Sequence, residues 1–206
     1  MLTILGRRTS ANAMQPLWLA DELGLKYEQV DVGGPFGGND QSEYLELNPT
    51  GLVPTIIDDG FVLWESNAIT RYLAGRYGKD PIYPDDLRVR ALADQWMDFE
   101  NNMVMPTMGI IMMGLIRTPP EQRNMERIIQ AIERCGKIWA MVDAHLAKHP
   151  YIAGDHFSIG DIPLGPQVHR WLELVPDRPA MPSLEAWYAR LTQRPAFRAH
   201  CMAPLA

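Results

Sequence analysis

The segment 48–66 constrains the fold of this 206-residue chain more than any other segment. Two short apolar runs, 55–57 and 61–63, flank Asp59-Gly60, a pair typical of tight β-hairpin turns because such turns need positive φ. Pro54 precedes the first run, and a proline in a sheet belongs at the first residue of a strand or at a bend. Apolar residues at helical spacing follow the second run, so the segment predicts a hairpin that leads into a helix.

This hairpin and helix outline a ligand site. A helix that starts near Glu65 or Ser66 presents free N–H groups and the positive end of its dipole, which suits a carboxylate. The residue before Pro54 keeps its backbone N–H and C=O available for an extended, peptide-like ligand. An ordinary hairpin followed by a helix cap explains the same pattern equally well, so the segment alone leaves both interpretations open.

Composition excludes several classes of protein. The net charge of -6 argues against a general nucleic-acid binder, because phosphate binding needs a basic surface. Cys135 and Cys201 are far apart and form no disulfide framework, which favours a cytoplasmic location. The most apolar later window, 103–116, is too short to cross a bilayer, and the five histidines lack metal-ligand spacing. We therefore expect no nucleic-acid partner, no membrane segment and no metal.

The order of elements predicts an α/β domain followed by an all-α domain. Residues 1–79 read as strand, helix, strand, helix, strand, strand, helix; the helical crossover makes the first strand pair parallel, and the hairpin makes the last pair antiparallel. Residues 80–87 are rich in proline and aspartate and predict a linker. Residues 88–206 are helical in pattern, and the long helix that ends near Ile116 is expected to kink at Pro106.

Three motifs in order carry a family resemblance. They are YLxxNPxGxVP at 44–54, LWESNAIxRYLA at 63–74 and IAGDxFSIGDI at 152–162. With them the chain resembles cytosolic glutathione transferases over essentially its whole length. The segments RTSAN at 8–12 and DELGLxYE at 21–28 are similar to those of bacterial theta-like and nu-like members.

The resemblance implies a thioredoxin-like N-terminal domain, an all-helical C-terminal domain, a homodimer and glutathione as cosubstrate. It implies a cis Val53–Pro54 peptide whose preceding backbone pairs with the cysteinyl part of glutathione, and a γ-glutamyl carboxylate held at the start of the following helix. Asp98 would reach the glutathione amine of the partner subunit, although a solvated helix position also fits it. The residues implied to bind glutathione are Asn39, Leu52, Val53, Pro54, Glu65 and Ser66.

Glutathione must be activated as its thiolate. A free thiol has a pKa of about 8.5, so few molecules are ionised at about pH 7. Ser10 and Asn12 supply neutral donors, and no tyrosine lies in this segment. Theta-like members use a serine that aligns with Ser10, whereas nu-like members carry an asparagine that matches Asn12. Helix capping is the alternative role for both residues.

The second substrate is expected to be a small hydrophobic electrophile. Met105, Met108 and Met112 share one face of the long helix by their spacing, and flexible, polarizable methionine suits a tolerant pocket. Core or dimer packing is the alternative role for each of them. Ser158 to Asp161 have the spacing of a capping box, which predicts that Asp161 is structural.

Three functions compete. The first is a glutathione transferase that adds the thiolate to electrophiles. The second is a glutathione-dependent disulfide reductase on the same scaffold, with small disulfides as substrates. The third is a non-catalytic glutathione-transferase-like binding protein, which the presence of Pro54, Glu65 and Ser66 disfavours.

Overall fold

The computed structural model describes residues 1–205 of the chain. The strands are β1 Leu2–Leu5, β2 Tyr27–Val30, β3 Thr55–Asp58 and β4 Phe61–Trp64. The helices are α1 Ala11–Glu22, α2 Ser42–Leu47, α3 Ser66–Tyr77, α4 Leu87–Phe99, α5 Met105–Met112, α6 Met125–Leu146, α7 Asp161–Leu174, α8 Pro182–Thr192 and α9 Pro195–Cys201. A thioredoxin-like half with all four strands is therefore followed by a helical half, as predicted.

The four strands form one sheet in the order β2-β1-β3-β4. β1 pairs with β2 in parallel and with β3 antiparallel, and β3 and β4 form the predicted hairpin. Asp59 and Gly60 occupy its turn with φ of 50° and 87°, which is the conformation that their residue types favour. Leu2 and Ile4 alternate toward the core, so the central strand is pinned in register by burial.

The long helix after the linker is less regular than predicted. α4 and α5 are joined by a π-helical segment, Glu100–Val104, and a second one, Met113–Arg117, follows α5. Pro106 lies immediately after the first segment, where its missing N–H and its ring disturb the normal hydrogen-bond ladder. The structure therefore shows a π-helical turn just ahead of Pro106, the residue at which a kink was predicted.

The two halves of the chain lock together around Trp18 of α1. Its ring packs against Phe157 and Phe197 at centroid separations of 5.4 and 4.9 Å. Gly165 of α7 permits the approach, because a Cβ at that position would lie only 2.5 Å from the Trp18 ring. Burial of such large side chains is the main stabilising contribution here, and it holds α1 against α7 and α9.

Asp161 organises the start of α7 from a fully buried position. Its Oδ2 accepts from the backbone N–H of Ser158 at 2.9 Å, the reciprocal half of a capping box. Its Oδ1 accepts from the Ile152 N–H at 3.1 Å and from the Trp187 Nε1–H at 2.8 Å. The carboxylate therefore joins the 152–158 loop, α7 and α8; its bond to the Ser158 N–H is the one that the capping-box spacing predicted.

Within the described residues, no helix is both long and apolar enough to span a bilayer. The same residues contain no group of three or more histidine, cysteine or acidic side chains placed to hold a metal ion.

Candidate functional site

A hydrogen-bonded network shapes the loop ahead of β3, where Val53–Pro54 is cis as predicted. Asn48 is 1% exposed, and its Nδ2 donates to the Leu52 carbonyl at 2.8 Å and to Thr55 Oγ1 at 3.0 Å. The Tyr44 hydroxyl donates to the same carbonyl at 2.6 Å. The Leu52 carbonyl is therefore already occupied, while its side chain is exposed to solvent.

The backbone of Val53 remains open. Neither its N–H nor its C=O forms a hydrogen bond within residues 1–205. A partly buried residue with both backbone groups unpaired offers a short edge to which a peptide-like ligand can add. This is the arrangement that the sequence predicted for the residue before Pro54.

The start of α3 forms a second part of the site. Glu65 is exposed and adopts φ 74°, ψ 113°, a conformation that a non-glycine residue seldom takes and that often marks a functional position. No side chain caps the helix, so the first-turn N–H groups beside the nearly buried Ser66 have no side-chain acceptor. The helix end can therefore receive a carboxylate, as predicted.

Ser10 and Asn12 lie together at the start of α1, in a cleft of about 130 Å³. Ser10 holds the N-cap position, and its carbonyl accepts from the Met14 N–H at 2.8 Å. Its hydroxyl makes no capping bond, contrary to what a purely structural N-cap serine would do. Both side chains line the cleft, so the structure brings the two candidate donors together.

Gly6 connects the α1 cleft to the Val53–Pro54 loop. A Cβ at Gly6 would lie 3.0 Å from Ala13 Cβ and 3.4 Å from Val53 Cβ, so only a glycine allows this close approach. Ala13, in the first turn of α1, and the Val53–Pro54 loop therefore both lie next to Gly6. The helix that carries the candidate thiol-activating groups thus lies next to the loop that carries the peptide edge.

Asn39 borders the same loop. Its Nδ2 donates to the Gly51 carbonyl at 2.8 Å, and a Cβ at Gly33 would lie 3.7 Å from its Oδ1 and 3.4 Å from Val53 Cγ1. The Asn39 amide therefore supports the loop, and Asn39 and Val53 both lie next to Gly33.

The structure separates the three methionines predicted to line the second-substrate pocket. Met105 borders the α1 cleft, whereas Met108 is 1% exposed and Met112 4% exposed. They share a helix face as predicted, but Met108 and Met112 are buried in the core, whereas Met105 is only partly buried. Met113, half exposed, borders with Met105 a neighbouring cavity of about 630 Å³ and is the methionine that the sequence reasoning missed.

Asp98 lies on the surface of α4. Arg71 of α3 donates to it at 2.7 Å and to Asp94 at 2.6 Å, so Asp98 forms an ion pair within its own chain. Its side chain is still 63% exposed.

Sequence reasoning also missed the cationic lining of the α1 cleft. Arg7, Arg117, Gln167 and Arg170 border it together with Ser10 and Asn12. Arg7 is close to Ser10 in sequence and could have been noticed. Arg170 donates to the Thr9 carbonyl at 2.9 Å across 161 residues, and no local pattern signals such a contact.

Glu100 is buried behind this lining. Gln167 Nε2 donates to its Oε1 at 2.8 Å. Burial raises the pKa of Glu100 to about 7, against the lowering effects of the Gln167 hydrogen bond and the Arg170 charge. The folded protein therefore holds a proton on Glu100 that the unfolded chain releases near its ordinary pKa of 4.5.

This raised pKa predicts a loss of stability as the pH rises. Between about pH 4.5 and pH 7 the folded state binds more protons than the unfolded chain, so the free energy of unfolding falls across that window. Glu100→Gln keeps the bond from Gln167 and removes the titration, so it should be more stable than the wild type at about pH 8, by about 1–3 kcal/mol. Urea unfolding at several pH values measures this, with the exposed Glu46→Gln as control. Parallel pH profiles of wild type and Glu100→Gln would refute the assignment.

Neither cysteine is available to react. Both are buried and free. Burial raises the pKa of the Cys135 thiol to about 11 and that of the Cys201 thiol well above its ordinary value. Any thiol chemistry at this site must use the thiol of a ligand.

Comparison with known proteins places the chain among well-defined relatives. Residues 1–75 match the family profile "Glutathione S-transferase, N-terminal domain", and residues 115–190 match "Glutathione S-transferase, C-terminal domain". Glutathione S-transferase GstB of Escherichia coli K12 is 41% identical, with 100% of both chains covered. Glutathione S-transferase 3 of Zea mays is 30% identical over 96% of this chain and 91% of the maize protein.

Solved structures show the same similarity. The theta class glutathione S-transferase of Xanthomonas axonopodis pv. citri, crystallised with glutathione bound, superposes with a TM-score of 0.96. It is 45% identical and the match covers 100% of this chain and 99% of that one.

Proposed function

The chain belongs to the glutathione S-transferase family and is a glutathione transferase, and from that premise we propose that Ser10 activates the glutathione thiol. The observation that carries this assignment is the Ser10 hydroxyl, which lies at a helix N-terminus and in the cleft but makes no capping bond. A hydroxyl donor and the positive end of α1 both favour the thiolate over the thiol. The Asn12 amide, on the same cleft, adds a second donor.

The rest of glutathione would extend from this point across the sheet edge. Its cysteinyl backbone would pair with the N–H and C=O of Val53, next to Pro54. Its γ-glutamyl carboxylate would bind at the start of α3, to the Ser66 hydroxyl and the first-turn N–H groups, with Glu65 near the amine. Its glycyl end would lie toward Asn39. Leu52 contributes an exposed side chain only, because its carbonyl is occupied by Tyr44 and Asn48.

The reaction is nucleophilic addition or substitution. The thiolate sulfur forms a bond to the electrophilic carbon of the second substrate, a leaving group such as halide departs with its electron pair, and the thiol proton passes to solvent. Positioning and thiolate stabilisation account for the catalysis, and no protein nucleophile takes part. We propose that the physiological role is detoxification of such electrophiles.

A paired assay tests the function. The purified protein should conjugate glutathione to an aryl halide, and calorimetry should show one glutathione site per chain. Turnover of a small disulfide with no conjugation would instead support a reductase that takes both thiols from glutathione. Absence of binding and of turnover would contradict both enzymatic assignments.

We also propose a cytoplasmic homodimer. Exposed Leu87 and Leu92 on α4 give an apolar surface for a second copy, and Asp98 lies on the same helix. In the dimer Asp98 would turn toward the glutathione amine of the partner subunit, exchanging its pairing with Arg71. Sedimentation equilibrium of the wild type and of Asp98→Ala tests the assembly. Glutathione calorimetry on Asp98→Ala tests the contact to the glutathione amine.

A further inference from the structure

The cleft beside Ser10 is cationic, although the chain as a whole is acidic. Three arginines from three separate segments border it: Arg7 after β1, Arg117 at the end of the long helix and Arg170 within α7. Among the described residues, no aspartate or glutamate borders this cleft. The net charge of -6 makes this local reversal of sign a specific feature of the site.

Arg170 is the most deeply placed of the three. It is 9% exposed and its Nη2 donates to the Thr9 carbonyl, while its Nε has no hydrogen-bond partner. Gln167 beside it is 1% exposed, and its Oε1 is also without a partner. Burial of a guanidinium without a bonded carboxylate carries a desolvation cost, and an anionic ligand bound to Arg170 would offset that cost.

The interior acid near Arg170 attracts its charge but forms no ion pair or hydrogen bond with it. Glu100 accepts from Gln167 rather than from Arg170. Burial first, and then the charges of Arg117 and Arg7, lower the pKa of Arg170 to about 10, although Cys201 and Glu100 act in the opposite direction. A bound anion would relieve the repulsion between the Arg7 and Arg170 guanidinium groups.

Arg7 is held at the cleft by the glycine-rich loop. A Cβ at Gly34 would lie 3.0 Å from Arg7 Cδ and 3.1 Å from its Nε, so the side chain passes over a backbone that has room only for glycine. Within residues 1–205 the Arg7 guanidinium has no hydrogen bond to another side chain and no ion pair. Its charge is therefore available to a ligand in the cleft.

A mostly apolar cavity, whose lining also includes Thr118, Gln122, Asn124 and Arg127, continues from the cationic cleft. Met105 and Gly109 border both the cleft and the neighbouring cavity of about 630 Å³, which Ile110 and Met113 also line. A ligand with an apolar body and one compact anionic group matches the two parts together.

We propose that the preferred second substrate is an electrophile that carries a carboxylate, bound by Arg7 and Arg170. Its apolar body lies against Met105 and Met113, and its electrophilic carbon faces the sulfur beside Ser10. This inference rests on the proposed transferase function and names the class of substrate. It replaces the expectation of a purely hydrophobic electrophile with that of an amphipathic, anionic one.

A matched pair of substrates tests the inference. Chloronitrobenzoate and its methyl ester present the same reacting carbon and leaving chloride, with and without the negative charge. The wild type should show a higher kcat/KM for the carboxylate. Arg7→Gln and Arg170→Gln should each lower the carboxylate-to-ester ratio of kcat/KM about tenfold, whereas Arg170→Lys, which keeps the charge, should retain most of it. Arg88→Gln, an exposed arginine at the start of α4, should leave the ratio unchanged.

Three outcomes would overturn the inference. Turnover of the ester without any preference for the carboxylate would refute it and leave the transferase function intact. Equal losses on both substrates, with a raised KM for glutathione, would show that the arginines act on glutathione. Failure to turn over either substrate would remove the proposed function as well.

Discussion

Replacement of Ser10 by alanine is expected to lower kcat/KM for glutathione conjugation about 10- to 100-fold at about pH 6.5. The hydroxyl stabilises the thiolate, so its loss moves the thiol pKa back toward about 8.5 and leaves less reactive anion. The helix N-terminus and Asn12 remain, which is why the loss is smaller than complete. Activity should recover at about pH 9, where the thiol ionises without help.

The pH dependence of kcat/KM separates this role from a structural one. In Ser10→Ala the apparent thiol pKa should rise, with glutathione affinity by calorimetry little changed. Ser42→Ala, an exposed serine at the start of α2, is the matched control. Asn12→Ala should give a smaller loss; if it gives the larger loss and Ser10→Ala leaves the profile unmoved, the amide is the activating group.

Replacement of Asp161 by alanine is expected to destabilise the protein by about 3–5 kcal/mol. The change leaves three buried donors unpaired, the N–H groups of Ile152 and Ser158 and the Trp187 indole. Such a loss is a large share of the roughly 5–15 kcal/mol that holds a typical protein folded. Thermal and urea unfolding measure it directly.

Partial rescue gives the control. Asp161→Asn keeps an oxygen for Ile152 and Trp187 but presents an amide to the Ser158 N–H, so its loss should be intermediate. Asp155→Ala, exposed on the same loop, should be near neutral. Any Asp161→Ala protein that remains folded should keep its kcat; normal stability with lost activity would contradict the structural assignment.

The secondary-structure elements and the geometry of the loop before β3 were largely predictable because their signals are local. The Asp59-Gly60 turn needs only two residues, and the open backbone of Val53 follows from its place before Pro54. The lack of a capping bond from the Ser10 hydroxyl was not predictable, because the hydroxyl of an N-cap serine ordinarily accepts a hydrogen bond from a backbone N–H of its own helix.

The second-substrate region was the least predictable part. Helical spacing correctly grouped Met105, Met108 and Met112 on one face, but periodicity does not say whether an apolar face meets the core or a pocket. The π-helical turn that begins at Met113 also changes the angular spacing on which such arguments rely. Arg170 lies beside the α1 cleft only because of tertiary packing, so no sequence pattern predicts its position there.

The bond from Arg170 to the Thr9 carbonyl limits how freely the two halves of such an enzyme can be exchanged between family members. Thr9, which precedes Ser10, is held by a side chain from the other half of the molecule. The two halves are therefore not interchangeable parts. A chimera that joined the first 79 residues to the helices of another member would keep Ser10. It would lose the bond from Arg170 that holds the neighbouring Thr9, unless the new helices supplied an equivalent donor.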